Sequence, residues 1–254
     1  MERRRSAIRT AVVWDALSAV LQARHDALQP TRPLQVIDLG GGTGGLAVRI
    51  AELGHQVVVV DPSPDALASL ERRAAEADVA APLQGSVRGV LGDAATLLDV
   101  VAPGAVDVVV CHGVLEVVDA PAQALHAAAT ALVPGGYLSV LATQRSAAVF
   151  ARAVAGHLAD ARTLLNDPDG RWGAGDPIPH RFTRDELVAL LGEAGFTIAE
   201  IHGIRVFTDH LSSAAVDSEP GAAEALRALE AEVASHPDFM SIATQLHLLA
   251  TTSE

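Results

Sequence analysis

The residues best suited to chemistry sit in one short stretch, Asp38-Leu-Gly-Gly-Gly-Thr-Gly-Gly45. Gly40, Gly41, Gly42 and Gly44 let the backbone come close to a ligand, and a helix starting just after them offers unsatisfied N–H groups. Gly40, Gly42 and Gly45 also fit the GxGxxG spacing of dinucleotide enzymes, so the turn alone does not choose a cofactor. Asp38 does separate the candidates. A carboxylate just before the first glycine can meet the ammonium of a bound amino acid, but it has no comparable task beside a pyrophosphate. Asp61, ending a Val-rich run, is placed to hold both ribose hydroxyls, a role common to both cofactor classes. Gly92-Asp93 follows a third apolar run, where an acidic side chain can accept a hydrogen bond from an adenine amine. Each carboxylate also has a plainer reading: Asp38 as a cap on the glycine turn, Asp61 on the helix near Pro64, and Asp93 on a short helix.

These residues need a scaffold, and the hydrophobic pattern supplies one. An amphipathic helix is predicted over 7–28, then strands over 34–39, 56–60, 86–91, 106–111 and 137–142, with helices over 44–53, 65–77 and 122–132 between them. Pro134-Gly-Gly reads as a turn into the fifth strand. Thr183 caps a helix over 184–194, a strand follows over 196–201, and an Ala/Glu/Leu helix over 222–234 precedes a last strand over 242–250. Continuous Val, Ile and Leu strands alternating with helices imply a mostly parallel sheet covered on both faces. Ligands on such a sheet lie at the carboxyl ends of the strands, where the glycine stretch falls.

Composition narrows the class. The 254 residues are half apolar, enough for one domain with a full core. No stretch is apolar enough to span a membrane and no secretory leader is evident, so a cytoplasmic protein without a membrane partner is expected. Cys111 is the only cysteine and reads as a buried thiol in a reducing compartment. The net charge of −13 and the lack of any lysine weigh against broad attraction to nucleic acid, although Arg3, Arg4 and Arg5 form a small basic cluster. No metal site is expected, and no feature sets an oligomeric state.

Taken in order along the chain, these motifs resemble class I S-adenosylmethionine-dependent methyltransferases over nearly the whole length. The resemblance implies a Rossmann-like, seven-stranded, mostly parallel sheet with an antiparallel last strand and helices on both faces. Ile-Arg-Thr-Ala-Val-Val-Trp14, Cys111-His-Gly-Val-Leu-Glu-Val-Val118 and Gly203-Ile-Arg-Val-Phe-Thr-Asp-His-Leu211 are similar to the bacterial tRNA 5-carboxymethoxyuridine methyltransferase family. That similarity implies methyl esterification of a modified wobble uridine, with Arg9, the glycine loop, Asp61, Gly92-Asp93 and His112 on the cofactor. One departure bears on the substrate. The basic run expected after the fifth strand is replaced by an acidic, Gly/Pro-rich segment over 166–180, a poor phosphate clamp. A small molecule or modified nucleoside is therefore preferred to tRNA as acceptor.

Methyl transfer from a sulfonium asks mainly for positioning. A carboxylate acceptor needs no base but needs an arginine fork, for which Arg145, Arg181 and Arg205 are candidates, with Asp209 beside Arg205. A hydroxyl acceptor needs a base, and His112 or His180 has a suitable unperturbed pKa. The bland alternatives are a core histidine at 112 and an edge-strand ion pair between Arg205 and Asp209. Residues 143–180 and the N-terminal segment 1–30 are expected to form a mobile lid excluding water. Two rivals stay open at this point: an NAD-dependent oxidoreductase, disfavoured by Asp38 and by Pro134-Gly-Gly, and a non-catalytic S-adenosylmethionine-binding regulator.

Overall fold

The computed structural model describes residues 2–28, 31–77, 85–211 and 221–253, with side chains from Thr10 onward. Helix α1 (Glu2–Ala27) leads into β1 (Gln35–Leu39), α2 (Gly45–Glu52), β2 (Gln56–Asp61), α3 (Pro64–Glu76) and β3 (Ser86–Leu91). A short α4 (Leu97–Val100) precedes β4 (Val106–His112), α5 (Pro121–Ala131) and β5 (Leu132–Thr143). Then come α6 (Arg145–Val154), α7 (Leu158–Asn166), α8 (Arg184–Glu193), β6 (Phe196–Ile204), α9 (Ala222–Val233), α10 (Pro237–Met240) and β7 (Gln245–Thr252).

The strands form one seven-stranded sheet in the order β3-β2-β1-β4-β5-β7-β6. Pairing is parallel from β3 through β5, and β7 runs antiparallel between β5 and β6. The chain order reverses at β1, between β2 and β4, which opens a crevice at the carboxyl ends of β1 and β4. Val13, Leu17 and Leu21 recur every four residues and form the buried stripe of α1, which packs with α2 and α3 on one face. Leu97, Ala124, Leu125, Ala128, Leu187 and Leu191 cover the other face from α4, α5 and α8. At the opposite end of the strands, fully buried Asp107 binds Arg32 at 2.7 Å and accepts from Gln35 N at 2.9 Å, tying the chain entering β1 to β4.

Two expectations change. Pro134-Gly-Gly is no separate turn: it falls within β5, where the register against β4 shifts between Val106 and Val108 and Gly135 takes a φ of 65°. The segment after β5 holds two helices, α6 and α7, which pack together with little buried surface of their own. Apolar residues do recur at helical spacing in α6, but only Ala147 of that helix is buried, and the Gly156-His157 break splits the segment into two short helices. By contrast the Thr183 cap is a full capping box, with Thr183 Oγ1 accepting from Glu186 N and Glu186 Oε2 accepting from Thr183 N. Among the described residues no helix is long and apolar enough to cross a membrane.

Candidate functional site

The glycine stretch forms the turn from β1 into α2. Gly40, Gly42 and Gly44 have φ values of 67°, 56° and 72°, the left-handed region that side chains with a Cβ avoid. Two cavities of about 610 and 650 Å³ flank this turn and share Gly40 in their walls.

The first cavity is lined by Asp61, Asp93, Val114, Val117 and Gln123, among others. Asp61 accepts from Gly42 N through Oδ2 and from Ser63 N through Oδ1, each at 2.9 Å. These bonds fix the carboxylate and leave further lone pairs for the hydroxyls of a ribose. Ser63, not Asp61, caps α3, since Ala66 N donates to Ser63 Oγ. Asp93 Oδ1 accepts from Ala95 N, Thr96 N and Thr96 Oγ1, and the Thr96 bonds hold its pKa below the usual carboxylate range. Its local capping role and its place in the cavity wall therefore coexist. Gly92 N is occupied by Asp61 O, which joins the ends of β2 and β3.

The second cavity is lined by Thr10, Trp14, Asp38, Gly41, Arg49, His112, Leu141, Arg205 and Gln245. Asp38 is the electrostatic anomaly. It is 3% exposed, and its Oδ2 is buried without a hydrogen-bond partner. Burial, with Asp61 as a second cause, pushes its pKa up to about 7. A buried carboxylate oxygen with no donor suits a cation, and the ammonium of an aminoacyl group in this cavity would supply it. Trp14 packs beneath Arg49, the guanidinium carbon lying 3.7 Å from a ring centroid.

Arg205 alone among the described non-glycine residues has a positive φ, 62°. Its Nη2 pairs with Asp209 at 2.5 Å, its Nη1 donates to Gln245 Oε1 at 3.3 Å, and its Nε is buried with no acceptor. The ion pair and the cavity position are thus both realised. His112 donates to or accepts from Ser139 Oγ at 2.8 Å through Nε2, and burial lowers its pKa to about 4.

Other sequence candidates lie elsewhere. Arg181 is buried against Asp176, bonded at 2.6 and 2.9 Å, and also donates to Gly170 O. Arg145 bonds Pro168 O, Arg181 O and Glu186, pinning the segment after α7. His180 sits beside Asp169 at 3.3 Å, and its N–H donates to Glu116 O. Among the described residues none from 143–180 lines either cavity, whereas α1 contributes Thr10, Val13 and Trp14 to the second. Arg9 and the Arg3–Arg5 cluster fall outside the described side chains. Glu116 accepts from Thr143 N and Oγ1 while its Oε2 stays buried and unpartnered, which raises its pKa. Cys111 is buried and free, and burial raises its pKa to about 12, as suits an inert thiol.

Sequence reasoning missed Gln245 and the polar residues inside apolar strands, Ser139 and His247. Their signal was weak but present: single polar residues at positions where strand alternation points to a covered face.

The strand order, the glycine turn and the two cavities meeting at Gly40 define a Rossmann-like class I methyltransferase fold. The chain belongs to the methyltransferase-domain family, whose model matches residues 13–201. It is similar to the tRNA 5-carboxymethoxyuridine methyltransferase of Escherichia coli K12, 29% identical over 96% of this chain and 87% of that protein. A ubiquinone biosynthesis O-methyltransferase from Ralstonia nicotianae is 35% identical over 71% of each chain. An S-adenosylmethionine-dependent methyltransferase from Mesorhizobium loti shares the fold, with a TM-score of 0.59 and 21% identity over 96% of this chain and 99% of that one. The protein is an S-adenosylmethionine-dependent methyltransferase, and the unpartnered oxygen of Asp38 and the fixed carboxylate of Asp61 fit that cofactor.

Proposed function

We propose that the chain transfers a methyl group to an oxygen of an anionic small molecule or modified nucleoside that lies in the second cavity against Arg205. S-adenosylmethionine, when bound, supplies an electrophilic methyl on a sulfonium. Asp61 and Asp93 would hold its nucleoside in the first cavity and Asp38 its ammonium in the second. The observation that carries the reading is Arg205: a left-handed arginine in the wall shared with Asp38, Gly40 and His112, with its buried Nε lacking an acceptor. Strained backbone of this kind clusters at ligand sites. We further assign α1, through Thr10, Val13 and Trp14, the task of shielding the sulfonium from water.

A second reading, methyl esterification of tRNA carboxymethoxyuridine, is favoured by the similarity to the Escherichia coli enzyme along 96% of the chain. The net charge of −13 and the carboxylates at Asp167 and Asp169 weigh against it. Incubation with methyl-labelled cofactor and separate RNA and metabolite fractions from the source cell tests both. Label in an anionic metabolite or free nucleoside, reduced by Arg205→Ala, supports the first reading. Label confined to tRNA supports the second, and no label in any fraction defeats both.

A further inference from the structure

His112 is the first member of a chain of polar groups that crosses the sheet. Its Nε2 lies 2.8 Å from Ser139 Oγ, which lies 2.9 Å from His247 Nε2. His247 Nδ1 then faces His202 Nδ1 at 3.3 Å, and His202 Nε2 faces Glu200 Oε2 at 3.3 Å. Ser139 and His247 are fully buried, whereas the Glu200 side chain is 57% exposed. The chain thus runs from the cavity under Arg205, through β4, β5, β7 and β6, to solvent at the sheet edge.

Hydrogen-bond bookkeeping gives this chain one direction. A neutral imidazole carries a single N–H, and a carboxylate only accepts. Glu200 therefore requires the proton of His202 on Nε2, leaving His202 Nδ1 as an acceptor. That acceptor requires the His247 proton on Nδ1, which leaves His247 Nε2 to accept from the Ser139 hydroxyl. Ser139 Oγ then accepts from His112 Nε2–H, so His112 Nδ1 is left bare, on the ring of a residue lining the cavity. The reverse order sets a lone pair of His202 against the carboxylate unless His202 is a cation, and burial lowers the pKa of His202.

We infer that Ser139, His247, His202 and Glu200 hold His112 as the Nε2–H tautomer, making its Nδ1 the proton acceptor for a hydroxyl that is methylated in this cavity. The inference rests on the oxygen-acceptor reading above and narrows it from any oxygen to a hydroxyl. As the new O–CH3 bond forms and the C–S bond breaks, the C–S electron pair stays on sulfur and the hydroxyl proton passes to His112 Nδ1. The Nε2 proton moves to Ser139, the Ser139 proton to His247, the His247 Nδ1 proton to His202 and the His202 Nε2 proton to Glu200, from which water removes it. Once the product has left, His112 Nδ1 gives its proton to water in the opened cavity as a proton returns from water through Glu200 to His202 Nε2 and back along the chain, restoring the starting tautomers. No imidazolium accumulates, which suits a ring that burial makes a poor resting base. His112 touches the acceptor; the other four are positioning residues.

Nitrogen-15 NMR of the histidine-labelled full chain at neutral pH reads the tautomers directly. The expected result is Nε2–H on His112, Nδ1–H on His247 and Nε2–H on His202. In Glu200→Ala, a surface change that leaves the core intact, the constraint on direction is lost and His112 populates both tautomers. An Nδ1–H tautomer of His112, a doubly protonated His202, or a pure Nε2–H form surviving in Glu200→Ala would overturn the inference. The labelled product from the extract assay gives a second readout: an alkali-stable methyl ether supports it, and an alkali-labile ester refutes it while sparing the oxygen-acceptor reading. No labelled product defeats that reading and the hydroxyl assignment with it, whereas the tautomers remain a separate result. With a hydroxyl product in hand, Ser139→Ala lowers turnover roughly a hundredfold at unchanged cofactor affinity, and Ser139→Thr restores part of it.

Discussion

The Asp38 carboxylate lies against the backbone of Gly41 so closely that a Cβ at residue 41 would collide with Asp38 Oδ2 and crowd Val59 as well. The glycine is required by this approach rather than by a positive φ. Gly41→Ala is expected to displace the carboxylate and weaken S-adenosylhomocysteine binding by at least roughly tenfold, at a stability loss of about 1–3 kcal/mol. Titration calorimetry and thermal melting separate the two effects.

Asp38 also sets a pH dependence. Burial, then Asp61, raises its folded pKa to about 7, above the ordinary carboxylate value. The stability linked to its neutral form is complete below about 4 and is lost as pH rises through about 7. Cofactor binding runs the other way, because an ammonium needs the ionised carboxylate. Affinity for S-adenosylhomocysteine should rise by up to roughly tenfold per pH unit below about 7 and level off above it. Asp38→Asn should flatten this dependence and weaken binding. Equal affinity at all pH values in the native chain would separate Asp38 from the ammonium.

Arg205 combines a backbone better suited to glycine with a guanidinium in the cavity wall. Arg205→Gly and Arg205→Ala both remove the anion anchor and should raise the acceptor KM to a similar extent. They should differ in stability, the glycine variant being the more stable by about 1 kcal/mol because only it relieves the left-handed φ. Thermal melting of the pair checks this.

Arg181 and Asp176 form a buried ion pair away from both cavities. Burial pushes the Asp176 pKa up, but the Arg181 guanidinium and the backbone N–H groups of Trp172 and Ile178 together outweigh it and the net shift is downward. Arg181→Ala strands the carboxylate and should destabilise the chain by about 3–5 kcal/mol while leaving S-adenosylhomocysteine affinity unchanged. Chemical denaturation and calorimetry on the same variant test the two halves of that statement.

Much of this was legible in the sequence because local rules and tertiary needs agree. The Val-rich run 106–110 has only one way to be fully buried, and Asp38, Gly40 and Asp61 lie at or just past the ends of strands that the βα pattern locates. What was not legible depends on contacts between distant segments. Nothing local says that Arg181 is consumed by Asp176, that Arg205 and Gln245 meet at one cavity wall, or that Ser139 and His247 on adjacent antiparallel strands fall within bonding distance. The helices α6 and α7 do not follow the rule that an apolar face marks the core side: Phe150, Val154, Leu158 and Leu165 stay exposed, so their place outside the sheet could not be read from the pattern.

The most direct test is a crystal structure with S-adenosylhomocysteine bound. Adenosine is expected beside Asp61 and Asp93, the ammonium on Asp38 Oδ2, and the sulfur at Gly40 facing the wall formed by Arg205 and His112. A ligand whose amino group avoids Asp38, or whose sulfur faces away from Arg205, would contradict this arrangement.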